Sequence, residues 1–142
     1  MPFGILTPGY LPEGYQADEY KGEQYAMLLE GFQQRRRGEA PVRLIRGVSL
    51  TYYDRTPPAD TVRHVIQFEQ TLGRKGETIV DPGEREPNED IGGFEADVWR
   101  AWNLSGEEII VLIWEDAFRG VRFEISGFVS KEEMLRIARS LQ

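Results

Sequence analysis

The sequence has no cysteine and a single histidine, His64, among its 142 residues. The lack of cysteine excludes disulfides, thiolate nucleophiles and cysteine-ligated zinc or iron–sulfur sites. No hydrolase motif built on serine accompanies the histidine, and no second histidine is present to share a metal with it. His64 shares its parity with apolar residues, so a structural position is favoured over a general base or a pH sensor. We therefore predict no catalytic residue, no metal site and no cofactor.

Long apolar runs are also missing, since no window approaches the ~20 residues that a membrane-spanning helix needs. The first nine residues contain two prolines and two glycines, where a signal peptide would need a basic start and an apolar core. We expect any membrane association to come through a segment outside this chain.

Positive charge is scarce, because 17 lysines and arginines face 24 aspartates and glutamates and leave a formal net charge of -7. This balance argues against a nucleic-acid partner or an anionic membrane surface. The one basic cluster, Arg35-Arg36-Arg37, could dock a protein partner. Its place at the end of a predicted helix favours a simpler role, in which the arginines complement the helix dipole.

The C-terminal part shows the clearest pattern. Residues 109–114 are apolar at both parities, which predicts a central strand covered on both faces. Residues 121–126 alternate between apolar and polar side chains, as in a strand buried on one face. Ser130 and Glu133 then fit a capping box, so residues 130–141 are predicted to form a closing helix that packs on the sheet.

The earlier part of the chain predicts an extended N-terminal segment, one helix and further strands. Residues 1–15 are rich in proline and glycine and should run extended along the surface. Glu23 to Arg37 carries Tyr25, Leu28, Leu29 and Phe32 at helical spacing, which predicts an amphipathic helix. Apolar and polar residues alternate over residues 42–53 and 61–72, which predicts two strands that form a hairpin. Arg46 interrupts the apolar face of the first strand and marks a strand end or a bulge. The acidic stretch from Glu77 to Asp97 lacks the register of a calcium loop and is predicted to be a solvated loop. Residues 94–104 are predicted to return to a strand.

These elements predict one domain over residues 1–142 of class α+β. Its curved, mostly antiparallel sheet would carry an amphipathic helix in the N-terminal third and the closing helix.

Four stretches together resemble the bacterial family called domain of unknown function 4367. They are Pro8-Gly9-Tyr10-Leu11-Pro12-Glu13-Gly14-Tyr15, Val65-Ile66-Gln67-Phe68-Glu69-Gln70, Leu112-Ile113-Trp114-Glu115, and the run from Ile125-Ser126-Gly127 to Ser140-Leu141. The resemblance implies an extracytoplasmic domain of membrane-anchored bacterial proteins, often in sporulation or anti-sigma-factor contexts, with no established catalysis. The chain is also similar in outline to lipoprotein-carrier and sigma-regulator half-barrels.

The resemblance therefore implies a non-enzymatic sensing or binding module with a protein partner or an apolar ligand. One alternative is a carrier that holds a lipid or an acyl chain in a half-barrel cavity, and another is a small hydrolase. The candidate ligand-binding residues are the aromatic and aliphatic side chains Phe68, Trp99, Trp102, Leu112 and Trp114. A pocket lined by such groups would favour the carrier, whereas a core that they fill would favour a protein that works through its surface.

Overall fold

The computed structural model describes residues 4–20, 23–24, 26–33, 42–55, 64–73 and 83–142. These residues form ten strands and one helix. The elements are β1 (Tyr15–Ala17), β2 (Glu19–Tyr20), β3 (Glu23–Gln24), β4 (Ala26–Gln33), β5 (Val42–Asp54), β6 (Val65–Leu72), β7 (Glu84–Ile91), β8 (Phe94–Trp102), β9 (Glu108–Asp116), β10 (Val121–Gly127) and α1 (Lys131–Arg139).

Eight of the strands form one curved, open, antiparallel sheet in the order β1-β5-β6-β10-β9-β8-β7. Strand β4 pairs with the first part of β5, along the same edge that β1 occupies further on. Strand β9 lies between β8 and β10, which confirms the prediction of a central strand. The predicted pairings of β5 with β6 and of β9 with β10 are also confirmed.

One face of the sheet, the core face, is covered by α1 and by the N-terminal segment. Its largest fully buried side chains include Phe68, Leu112 and Ile125. On α1 the buried residues are Met134, Leu135, Ile137 and Ala138, and the helical spacing predicts all of these except Leu135. Gly127 allows close packing of side chains from β6 and α1, because a Cβ there would lie 2.8 Å from the Ile66 Cγ1 atom and 3.2 Å from the Met134 Cε atom. The closing helix is thus confirmed as part of the core.

The start of α1 follows the predicted capping pattern. The Ser130 hydroxyl accepts a hydrogen bond from the Glu133 backbone N–H at 3.2 Å. Glu132 and Glu133 lie in the first turn, and Arg136 and Arg139 lie in the last turn. These charges suit the two ends of the helix dipole.

The predicted helix from Glu23 to Arg37 is wrong over residues 23–24 and 26–33, which form strands β3 and β4. Helical spacing of apolar residues does not decide the conformation when a neighbouring strand offers a ladder of backbone hydrogen bonds. Of the 13 residues of β5, β1 pairs only with residues 52–54, and β4 pairs with residues 42–50 along the same edge. Gly31 further lowers the helix propensity of the segment. Tyr25 and residues 34–37 lie outside the described residues.

Arg46 forms the predicted bulge, since Leu29 pairs with Gly47 and Glu30 pairs with Ile45, leaving Arg46 unmatched. The prediction of a solvated loop is wrong over residues 84–91, which form β7 and make a hairpin with β8. The strand predicted over residues 94–104 is confirmed over residues 94–102, which form β8. Two ion pairs cross the hairpin: Arg85 pairs with Asp97 at 2.9 Å and Arg100 with Glu86 at 2.7 Å. The earlier part of that acidic stretch, residues 77–82, lies outside the described residues.

Within the described ranges, no helix is long and apolar enough to cross a membrane.

Candidate functional site

A concave surface among the described residues forms a cleft at one end of the sheet, which we call the rim cleft. It has a volume of about 340 Å³. Apolar side chains form its walls, namely Leu6, Ile91, Phe94, Trp114, Phe123, Ala138 and Leu141. Polar side chains complete it, namely Asp116, Arg119, Arg139 and Gln142.

The floor of the rim cleft is aromatic. Trp114 and Phe123 are opposite each other in the β9–β10 register, and their ring centroids lie 5.3 Å apart. Phe68 stacks behind them at 6.1 Å from Phe123 and 6.5 Å from Trp114. All three rings are nearly or completely buried, so the floor is held rigidly by core packing.

The turn between β9 and β10 sets the charged side of the cleft. Asp116 is buried, and its Oδ1 atom accepts hydrogen bonds from the backbone N–H groups of Phe118 and Arg119. Its Oδ2 atom pairs with the Arg119 Nε atom at 2.9 Å. Gly120, with φ 67°, supplies the left-handed residue that closes this turn. The aspartate therefore both forms the turn and orients the guanidinium of Arg119.

The turn between β7 and β8 supplies one apolar wall. Gly92 and Gly93 have φ of 58° and 95°, as a tight two-residue hairpin turn requires. The Gly93 N–H donates to the Asp90 Oδ1 atom at 2.7 Å. The turn buries Ile91 and leaves Phe94 37% exposed at the mouth.

Residues 4–14, which we call the strap, form the opposite wall. The completely buried Gln70 side chain accepts from the Leu6 N–H at 2.8 Å and donates to the Leu6 carbonyl at 3.0 Å. Thr7 and Gln142 exchange two backbone hydrogen bonds of 3.1 Å, and Gly9 donates to Ser140 at 3.0 Å. The strap and the C-terminal residues are thereby joined like two short strands.

Tyr10 fastens the strap to α1. Its hydroxyl donates to the Glu133 carboxylate at 2.6 Å, and this hydrogen bond raises the pKa of Tyr10. The guanidinium of Arg136 lies 3.9 Å from the centroid of the Tyr10 ring. The Ser140 hydroxyl accepts from the Tyr10 backbone N–H at 3.0 Å. The wall that carries Leu6 is therefore anchored at several points along its length.

The candidate ligand-binding residues from the sequence are only partly brought together. Phe68 and Leu112 are completely buried, and Trp114 alone among the five lines the rim cleft. Trp99 is opposite Val111, on the face of the sheet away from α1. Trp102 is half exposed at the end of β8. The arginines of the predicted docking patch, Arg35, Arg36 and Arg37, lie outside the described residues.

The face of the sheet away from α1 carries a second polar group of residues. Glu69 and Glu124 are directly opposite each other on β6 and β10. The pKa of Glu69 is raised, mainly because the side chain is partly buried and next because the charge of Glu124 is close. The positive charge of Arg122 acts in the opposite direction. Arg122 pairs with Glu124 at 2.9 Å, and Gln67 donates to the Ser49 hydroxyl at 3.1 Å. These contacts form a polar stripe across three strands, without the enclosed shape of the rim cleft.

His64 has a structural environment. Its Nε2 atom contacts the Glu107 carboxylate, and its ring stacks on Phe128 at 4.9 Å. A hydrogen bond from Asn103, followed by the contact with His64, lowers the pKa of Glu107. These contacts join the start of β6 to the turn between β8 and β9. In the described part of the chain, no group of three or more carboxylates and imidazoles could hold a metal ion.

Sequence reasoning missed most of the rim cleft, because its residues come from five distant segments. Two local signals were available. Gly92-Gly93 between two strand-like runs is typical of a hairpin turn, and Asp116 three residues before Arg119 is typical of a side-chain-capped turn. A scan of family models, a search of curated proteins and a search of solved structures each found no match to this chain. The resemblance to domain of unknown function 4367 therefore stays a prediction.

Proposed function

We propose that this chain is a non-enzymatic binding module and that its ligand occupies the rim cleft. The observation that carries the proposal is an apolar cleft that opens at the rim of the sheet beside a filled core. Small-molecule sites are concave and mostly apolar, with a few polar groups that fix orientation, and the rim cleft has this composition.

The chemistry of the lining favours binding over catalysis. Asp116 is the one carboxylate among the cleft's described side chains, and its oxygens already accept two backbone N–H groups and the Arg119 guanidinium. These contacts and its burial commit the carboxylate to the turn, so it is poorly placed to take a proton from a substrate. The cleft is therefore suited to holding a ligand in one orientation.

The filled core favours a small ligand over the long acyl chain of a carrier. About 340 Å³ lies at the lower end of the range for small-molecule sites, which is roughly 300–1,000 Å³. Phe68, Leu112 and Ile125, beneath α1, are completely buried in the packed core. A carrier of the half-barrel type would need that space to be open.

The sequence resemblance supports an extracytoplasmic place for this module, attached to a membrane through a segment outside the chain. In such a setting, occupancy of the cleft would be the signal that the module passes to a protein partner. This role extends the binding proposal and depends on it.

The test is a titration of the full chain with the neutral apolar dye N-phenyl-1-naphthylamine, following dye emission. We expect saturable binding of one dye per chain. Phe94→Ala should weaken it several-fold, because that variant removes an apolar wall at the mouth. The matched control is Leu104→Ala, at a fully exposed residue in the turn between β8 and β9. Binding that is unsaturable, or that both variants change equally, would contradict the proposal.

A further inference from the structure

Two arginines at the mouth of the rim cleft, Arg119 and Arg139, have guanidinium groups that are only partly paired with acceptors. Arg119 is 57% exposed, and its Nε atom pairs with Asp116. Among the described residues, its two terminal nitrogens have no partner within hydrogen-bond distance. Arg139 is 49% exposed, and its Nε atom donates to the Asp90 carbonyl at 3.1 Å. Its nearest carboxylate oxygen, on Glu89, is 3.9 Å from its Nη2 atom.

Among the described residues, the nearby carboxylates leave the terminal nitrogens of Arg119 without an ion pair. Asp116 is buried, and the turn and Arg119 already use its oxygens. Glu89 lies closer to Lys131, at 2.9 Å, than to Arg139. Two arginines and one carboxylate thus line the cleft, inside a protein whose net charge is -7. Glu95 and Glu115 line the adjoining concave surface that also includes Phe94 and Arg119. Among the described residues, neither of them forms an ion pair with Arg119, so its terminal nitrogens can meet an anionic group of a ligand.

We propose that the ligand of the rim cleft is a small carboxylic acid with an apolar body. The apolar body lies against Trp114, Phe123 and Phe94, and the carboxylate pairs with the terminal nitrogens of Arg119. A guanidinium presents its N–H groups in a planar fork that matches the two oxygens of a carboxylate. Asp116 holds the Nε side of that fork, so the terminal nitrogens are directed away from the turn. This inference rests on the proposed function and adds the chemical class of the ligand.

The geometry disfavours the other charge classes. An ammonium group at the mouth would meet two arginines, and a neutral alcohol would leave the Arg119 fork without an ionic partner. The apolar walls disfavour a compact inorganic anion, because such an ion has no surface to place against Trp114 and Phe123.

The test compares four ligands by isothermal titration calorimetry of the full chain. Octanoate, 1-octanol and octylamine share one chain length and differ in head group, and N-acetylphenylalanine represents the carboxylate end of a peptide. We expect octanoate to bind at least about tenfold more tightly than octanol, with octylamine weakest. A tenfold difference corresponds to about 1.4 kcal/mol. The preference should shrink in high salt, since charge interactions at an exposed mouth are screened.

Arg119→Gln should abolish the preference for octanoate and leave octanol binding within about twofold. Arg55→Gln, at another exposed arginine, is the matched control and should keep the preference. If Arg119→Gln lowers the melting temperature, Arg119→Lys serves in its place, and it should keep part of the preference because the charge remains. Tighter binding of N-acetylphenylalanine than of octanoate would identify a peptide end as the source of the carboxylate.

Equal affinities of octanoate and octanol, or a preference that survives Arg119→Gln, would overturn the inference while leaving the binding function intact. The absence of saturable binding by every apolar ligand and by the neutral dye would instead contradict the proposed function itself. The two failures are therefore distinguishable.

Discussion

Replacing Gln70 by leucine removes the two hydrogen bonds that fix the strap to the sheet. Gln70 is completely buried, and its amide serves both the N–H and the carbonyl of Leu6. Each backbone group left unpaired costs about 1–3 kcal/mol if it stays buried. The strap can avoid that cost by detaching from the sheet, so that water can bind the Leu6 backbone groups. It then loses its three backbone hydrogen bonds to the C-terminal residues, which contribute about 0.5–1.5 kcal/mol each. We expect the less costly route to set the loss, which is about 2–4 kcal/mol.

The assay is urea unfolding of the full chain, combined with hydrogen exchange of the Thr7 and Gly9 amides. Both amides should lose protection in Gln70→Leu, because they belong to the strap. Gln67→Leu is the matched control, since its amide bonds to Ser49 on the other face of the sheet, and it should cost less than about 1 kcal/mol. A loss below about 0.5 kcal/mol in Gln70→Leu, with unchanged exchange at Thr7 and Gly9, would refute the assigned role of Gln70.

Three further predictions concern the core and the polar stripe. Ile137→Ala should cost about 2–5 kcal/mol in denaturant unfolding, because Ile137 is completely buried on the side of α1 that packs on the sheet. A loss below about 1 kcal/mol would show that the helix is an appendage. Gly47→Ala should cost about 3 kcal/mol or more in the same assay, because a Cβ there would lie 2.0 Å from the Gln70 carbonyl oxygen. The control is Gly4→Ala, which should be neutral because a Cβ at Gly4 meets open space. Glu69→Gln should stabilise the protein by about 0.2–1 kcal/mol at pH 7–8, because it removes a like-charge pair across β6 and β10.

The pH dependence of Glu69→Gln follows from the direction of the pKa shift. The pKa of Glu69 is raised in the folded protein above its ordinary value of 4.5, so the folded state binds the proton more tightly than the unfolded chain does. Ionisation of Glu69 therefore destabilises the fold at neutral pH. This destabilisation fades as the pH falls through the raised pKa and is gone below 4.5. Melting curves should show the advantage of Glu69→Gln disappearing over that range, and an advantage that grows on acidification would contradict the assignment.

The C-terminal half of the fold was predictable because its signals are local. Residues 109–114 are apolar at both parities, and the structure buries Val111 and Ile113 as well as the side chains of the core face. No helix covers that second face among the described residues. On that face Trp99 is opposite Val111, and Ile113 lies between Asp97 and Glu124 in the register of the sheet. The local pattern therefore predicted the burial of both faces, while the neighbours on this face come from the adjacent strands.

The errors arose where pairing partners distant in sequence decide the structure. The apolar residues within 26–33 have helical spacing, but the segment forms a strand because it pairs with the backbone N–H and C=O groups along the free edge of β5. Gln70 shares its parity with Phe68, and only the position of Leu6, 64 residues away, explains why an amide is buried there. The rim cleft depends on the same kind of distant contact, since no local pattern places Leu6, Phe94 and Arg119 around one space.

The most direct test of the account is a ¹⁵N-labelled titration of the full chain with octanoate, read as chemical-shift changes of the backbone amides. The account predicts saturable shifts concentrated at the rim cleft, at Gly92, Phe94, Arg119 and Leu141, with the polar stripe around Glu69 unaffected. Shifts that centre on the polar stripe, or that never saturate, would contradict the claim that the rim cleft is the ligand site of this protein.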